Sequence, residues 1–202
     1  MRESRNTLKR NTSLCDEPVV GTRPPAVPSA AVLTDSDGAV VILPAAIATP
    51  AAIHFVIRHS SGLVHAVMPS TLLDSLRIPD QPVLTAESSG ISFTVAVDAA
   101  SGIGTGISAS DRARTLRVLA DPRTTCADLV RPGHVLPIRC SGDESVEMRL
   151  WERALRLVTD SGYPPVAVAA RLIDDAGEPL DAASAASFAL WHGLPVDPVL
   201  GP

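Results

Sequence analysis

From Ala31 onward the chain alternates short apolar runs with turn-forming residues, whereas residues 1–30 carry prolines and polar residues with no periodicity. The first segment, ending in "GTRPPAVPSA", therefore reads as a flexible arm, and residues 31–202 as one domain. "AAVLTDSDGAVVIL" predicts two short strands joined by a turn at Asp35-Ser36-Asp37-Gly38. Thr49 before Pro50 is an N-cap followed by proline at the first helical position, opening a helix over "AAIHFVIRHS". "LVHAVM" predicts a strand and "STLLDSLRI" a helix capped by Ser70. "ISFTVAVDA" alternates apolar and polar positions and predicts another strand.

The stretch "GTGISASDRARTLRVL" passes from a small-residue turn into a helix, with Ser110 in an N-cap position. "CADLVRPGHVLPIRCS" reads as a short helix, a Pro-Gly turn and a strand. "SVEMRLWERALRLVTDSG" has helical apolar spacing and ends at Gly162; "VAVAARLID" is a strand, and "DAASAASFALWHG" a last helix. Alternating strands and helices of this kind imply an α/β (α+β) sandwich, a mixed sheet with packed helices.

Composition narrows the function classes. The chain has 202 residues, 46% of them hydrophobic, and a net charge of −5, so it lacks the basic footprint of a nucleic-acid or anionic-membrane binder. Lys9 is the only lysine among arginines, a bias typical of high-GC bacterial genomes. The apolar run "AVVILPAAIATPAAIHFVI" is interrupted by Pro44 and Pro50 and reads as strand, turn and helix, not as a membrane span. Cys15, Cys126 and Cys140 lack CxxC spacing, and the polar N-terminus lacks an apolar export segment. Free thiols and a cytoplasmic location are the expectation.

Four segments in order resemble one family: "IRHSSGLV" (57–64), "FTVAVDAASGIGTGISASDRARTLRVL" (93–119), "DLVRPGHVLPIR" (128–139) and "FALWHGLPV" (188–196). This is the order of motifs in 3,4-dihydroxy-2-butanone 4-phosphate synthase, an enzyme of riboflavin formation. The resemblance covers residues 31 to about 197 and implies an α/β sandwich that forms a homodimer. It also implies chemistry in which ribulose 5-phosphate is enolised, rearranged and stripped of formate, with Mg²⁺ polarising the oxygens.

Three places depart from the family pattern. Where relatives carry an acidic loop resembling D-D-E-x-R-E-N-E-G-D, this chain has the shorter "TDSDGAVV", leaving Asp35 and Asp37 as candidate cation ligands or plain turn formers. Where relatives carry R-x-G-H-T-E-A, it reads "EMRLWERA", with Glu147, Leu150 and Trp151 at the Arg, His and Thr positions and Glu152 retained. Where a late strand supplies a catalytic Glu, it has Ala170 or Arg171. The expectation is an enzyme repurposed from this scaffold, using no metal or cofactor. It would perform isomerisation, elimination or cyclisation on a non-phosphorylated small molecule of bacterial specialised metabolism. A non-catalytic ligand- or partner-binding relative, and residual synthase activity on ribulose 5-phosphate, stay open beside it.

The candidate catalytic residues are His134, in "RPGH", and His65, at a position where many relatives carry a cysteine near the substrate. Trp151, Glu152, Thr105, Ser108, Arg58 and His59 are candidate substrate contacts. Each has a plain alternative: His134 as part of a backbone turn, His65 as a satisfied buried histidine, Trp151 as core. Asp111 and Arg112 are read as holding the "TGISA" turn.

Overall fold

A computed structural model describes residues 27, 29–83, 91–141 and 149–198. Nearly all of the N-terminal arm, with Cys15, lies outside the described residues, as does Glu147.

The sequence folds as the expected mixed α/β architecture, a mixed sheet with helices packed on it. Strands β1 (Ala31–Asp35) and β2 (Gly38–Pro44) form an antiparallel hairpin whose turn pairs Asp35 with Gly38. Helix α1 (Pro50–Arg58) begins where Thr49 Oγ1 accepts the amide N–H of Ala52 at 3.1 Å. Strand β3 (His65–Pro69) and helix α2 (Ser70–Ser75) follow, then the short strands β4 (Ser92–Phe93) and β5 (Val97–Ala99). Helix α3 (Ala109–Ala120), strand β6 (Leu129–Cys140), helix α4 (Leu150–Asp160), strand β7 (Ala167–Arg171) and helix α5 (Ala182–His192) complete the described elements.

The sheet runs β1-β2-β7-β3-β6-β4, with β5 also pairing β6. All these pairings are antiparallel except β3 with β6, which places His65 opposite Leu136. Both faces are covered, which is why β2, β3 and β7 read as almost unbroken apolar runs. On one face Val32, Val41, Ala66 and Val168 pack against Ile53 and Val56 of α1, Leu116 and Leu119 of α3, and Ala185 and Ala189 of α5. On the other, Leu33, Val40, Val67, Ile138 and Ala169 pack against Leu150, Trp151, Ala154 and Val158 of α4. Each face is made by alternate residues of the same strands.

Four local expectations are corrected. Segment 91–99 is not one strand: it breaks into β4 and β5, and the β5–β6 register shifts between Val97 and Asp98. The "RPGH" segment is not a turn, because β6 runs straight through it with a cis Arg131–Pro132 peptide. Helix α3 is capped by Ser108, whose Oγ accepts the Asp111 amide at 3.0 Å, and not by Ser110. Ser70 is the first residue of α2, and its hydroxyl donates to the Cys140 carbonyl at 3.0 Å instead of capping. At α3 Ser108 and Ser110 both offer a hydroxyl to one helix start and Ser108 takes it, whereas no side chain caps α2.

Candidate functional site

Strand β6 presents His134 half-exposed, and β5 presents Asp98 buried beside it. The Asp98 carboxylate grips the histidine twice. Its Oδ1 accepts the His134 amide N–H at 3.0 Å, and its Oδ2 lies 2.7 Å from Nδ1 of the ring. A carboxylate only accepts hydrogen bonds, so Nδ1 carries the proton and Nε2 keeps the basic lone pair. A histidine oriented by a buried carboxylate is equipped to take up and return a proton.

Two glycines make room for this pair. Gly106 has φ +87°, and a Cβ there would sit 2.1 Å from Asp98 Oδ2 and 2.6 Å from His134 Nδ1. Gly133 lies against the opposite strand, where a Cβ would come within 2.0 Å of the Val97 carbonyl carbon. Gly106 of "GTGIS" and Gly133 of "RPGH" therefore serve close approach around Asp98. The amides of Gly104 and Gly106 are taken by a carboxylate of the chain itself, since Asp111 accepts the N–H of Gly104 at 3.2 Å and of Gly106 at 3.1 Å. The Gly104 amide, followed by those of Gly106 and the Ser108 contact, holds the Asp111 carboxyl below the usual range. Arg112 is buried, donates to the Gly62 carbonyl at 2.7 Å, and keeps its Nε without a hydrogen-bond partner. Burial lowers its pKa, and the nearby Asp98 charge works against that shift.

His65 lies on the same face of the sheet as His134, by strand alternation from its partner Leu136. Its ring is buried, with Nδ1 3.2 Å from the Leu136 carbonyl, stacked on Phe93 at 5.6 Å and edge-on to Trp151 at 5.8 Å. Burial, reinforced by Arg171, pushes its pKa down to about 4, so it is neutral at pH 7 with its proton on Nδ1. Trp151 is buried in the core beneath α4, with the Arg171 guanidinium 5.9 Å from its ring centroid. Neighbouring Glu152 leaves Oε2 buried without a hydrogen-bond partner, and after burial its charge helps raise the Cys140 thiol to about 12.

The remaining candidates separate. Thr105 is exposed on the turn over Asp98, and Ser108 is committed to capping α3. Arg58 is exposed at the end of α1. His59 joins a ring cluster with Phe55, Phe188 and His192, at centroid distances of 4.7 Å, 5.2 Å and 4.9 Å. Burial, with the His192, Arg58 and His54 charges, lowers His59 to about 4. Asp98 was not among the sequence candidates. Its signal was a carboxylate flanked by apolar residues inside a predicted strand, which alternation alone assigns to solvent.

Asp35 and Asp37 are the carboxylates the sequence offers as cation ligands. A divalent cation such as Mg²⁺ takes several oxygen ligands. Among the described residues no three His, Cys, Asp or Glu side chains converge to hold an ion. Asp35 gives its carboxylate to Arg171 at 2.8 Å, and the same oxygen accepts the Asp37 amide at 2.9 Å. Among the described residues no helix is long and apolar enough to cross a membrane.

Comparison with known proteins matches residues 31–199 to the model of the 3,4-dihydroxy-2-butanone 4-phosphate synthase family. The chain is 38% identical over 155 residues to the riboflavin biosynthesis protein RibBA of Salinispora arenicola, covering 76% of this chain and 37% of that protein. It is 37% identical over 151 residues to RibBA of Mycobacterium tuberculosis, covering 73% of this chain and 35% of that protein. The chain thus spans little more than a third of these curated relatives. Among solved structures it is similar to a 3,4-dihydroxy-2-butanone 4-phosphate synthase in complex with two magnesium ions, at 32% identity and a TM-score of 0.75, covering 83% of this chain and 86% of that one. A Candida albicans synthase matches at 29% identity and the same TM-score of 0.75, with the same coverage of 83% and 86%.

These findings overturn the expectation of a repurposed enzyme of specialised metabolism, and with it the isomerisation, elimination or cyclisation assigned to a non-phosphorylated substrate. Relatives more than a third identical to this chain over the 151 to 155 aligned residues are named for riboflavin biosynthesis, and the matching structures are synthases. Similarity spread over 76% of the chain outweighs the side chains replaced at a few positions.

Proposed function

Because the chain belongs to the 3,4-dihydroxy-2-butanone 4-phosphate synthase family, we propose that it performs the synthase reaction on ribulose 5-phosphate, releasing formate. The observation that carries this reading is the His134–Asp98 pair, held at 2.7 Å beneath the family-like "TGIS" turn. Enolisation of a ketose begins with removal of a proton beside the carbonyl. His134 Nε2 is the base for that step, and the imidazolium it becomes is stabilised by the Asp98 carboxylate. Returned to the carbonyl oxygen, that proton completes the enediol. Thr105, exposed on the turn above, supplies a hydroxyl to the sugar. His65, neutral and packed between Phe93 and Trp151, shapes the wall on the same sheet face.

A second reading is a non-catalytic relative that binds a sugar phosphate without turning it over, favoured by Glu147, Leu150 and Trp151 standing where the family resemblance implies Arg, His and Thr. Incubating the purified protein with ribulose 5-phosphate and Mg²⁺ and assaying formate decides between them. Formate released by the parent and lost in His134→Gln supports the synthase; binding without formate above background supports the second reading and overturns the first. A homodimer, a cytoplasmic location and a single domain over residues 31–202 belong to the proposal as well. Sedimentation of the purified protein tests the first of these.

A further inference from the structure

A cavity of about 460 Å³ opens on the side of α3 away from its capped N-terminus. It is lined by Ser101, Arg114, Arg117, Arg123, Asp121 and Asp128 among others. That volume falls in the range of sites that hold small organic ligands. Its arginines are not equivalent. Arg123 is spent on Asp121, donating Nη2 to Oδ2 at 2.8 Å and Nε to Oδ1 at 3.1 Å. Arg114 and Arg117, one helical turn apart, have no carboxylate partner among the described residues.

Both unpaired guanidiniums are nevertheless held in place. Arg114 Nε donates to the Ser101 carbonyl at 2.6 Å, and Arg117 Nη1 donates to the Ala48 carbonyl. One N–H of each fixes the stem, leaving the remaining donors of each fork for a ligand. A guanidinium fork suits the oxygens of a phosphate better than a point charge does. Asp128, whose Oδ2 accepts from Thr125, adds its other carboxylate oxygen to the same wall as an acceptor, where a purely cationic site would have none. Acceptors beside anion donors match a molecule with both hydroxyls and a phosphate. The chain's net charge of −5 gives no general attraction to anions, so selectivity here is local.

We propose that this cavity is a second binding site, for a hydroxyl-bearing phosphate monoester held by Arg114 and Arg117. It is separate from the His134–Asp98 pair, although Ala99 of its wall directly follows Asp98 in β5. The proposal does not depend on the synthase reaction.

The probe is ribose 5-phosphate, titrated into isotopically labelled His134→Ala protein, with ribose and inorganic phosphate as comparators. We expect saturable amide shifts at Ser101, Val118 and Thr124, binding at least about 5-fold weaker for inorganic phosphate, and none for ribose. Arg114→Gln with Arg117→Gln should weaken ribose 5-phosphate binding at least about 10-fold, and Arg114→Lys alone by less. Shifts confined to Gly104–Ser108, no shift at all, or undiminished binding by a folded double variant overturns the proposal. Should the double variant fail to fold, the amide map of the parent protein and the Arg114→Lys affinity decide alone. Formate release, or its absence, bears only on the synthase reading.

Discussion

Asp98 and Gly106 are in contact so close that only a hydrogen fits between them: a Cβ on Gly106 would stand 2.1 Å from Asp98 Oδ2. This contact seats the turn before α3 on the carboxylate that orients His134. Gly106→Ala must displace that carboxylate and also accept φ +87°, a backbone region that costs a non-glycine residue about 1–3 kcal/mol. Calorimetry should show a lower Tm for Gly106→Ala, and formate release should fall further than the stability loss explains. An unchanged Tm would show that the turn is not seated as described.

Replacing Asp98 tests orientation apart from basicity. Asp98→Asn keeps the shape, but its amide NH₂ can face Nδ1 and favour the wrong ring tautomer. The expected loss in formate release is about 100-fold or more, the scale of a positioned acid/base group. His134→Gln should lose a similar amount. The double variant should lose little more than either single one, because the two residues act as one unit. Additive losses would mean that they act independently.

Stability should fall on mild acidification. His65 has a folded pKa of about 4 against an ordinary value of 6.5, and His59 is lowered to the same level. Between those values the unfolded chain binds more protons than the folded one. Stability from keeping these rings neutral is therefore complete above pH 6.5 and is lost as pH falls toward 4. The slope from the buried His65 is at most about 1.4 kcal/mol per pH unit. Urea unfolding at pH 7 and pH 5 measures it, and His65→Gln should flatten the difference. An equal pH response in that variant would place the titrating group elsewhere.

Trp151 fills the space under α4 against Leu33, Val40 and the His65 ring. Trp151→Ala should cost about 3–5 kcal/mol in urea unfolding, as expected for deleting a buried ring, and Trp151→Phe distinctly less. A loss below about 1 kcal/mol would mean that the indole is not buried in solution.

Apolar period together with turn and capping residues determined most of the element order, the β1–β2 hairpin, the Thr49 cap and a mixed α/β architecture. Period and turn chemistry are local properties, and each of these features rests on residues a few positions apart. The motifs in 93–119 and 128–139 likewise fixed the family, since their glycines and small residues answer to backbone geometry. Only the tertiary structure decided what Asp98 does. Strict alternation assigns it to solvent; the register shift between Val97 and Asp98 turns it into the sheet, where it meets His134. The same long-range pairing drew "RPGH" into a strand and broke segment 91–99 in two. Trp151 could be read from sequence as pocket lining or as core, and the sheet face it covers made it core. Register and face are set by contacts tens of residues apart along the chain, such as His65 with Leu136, and no local pattern encodes them.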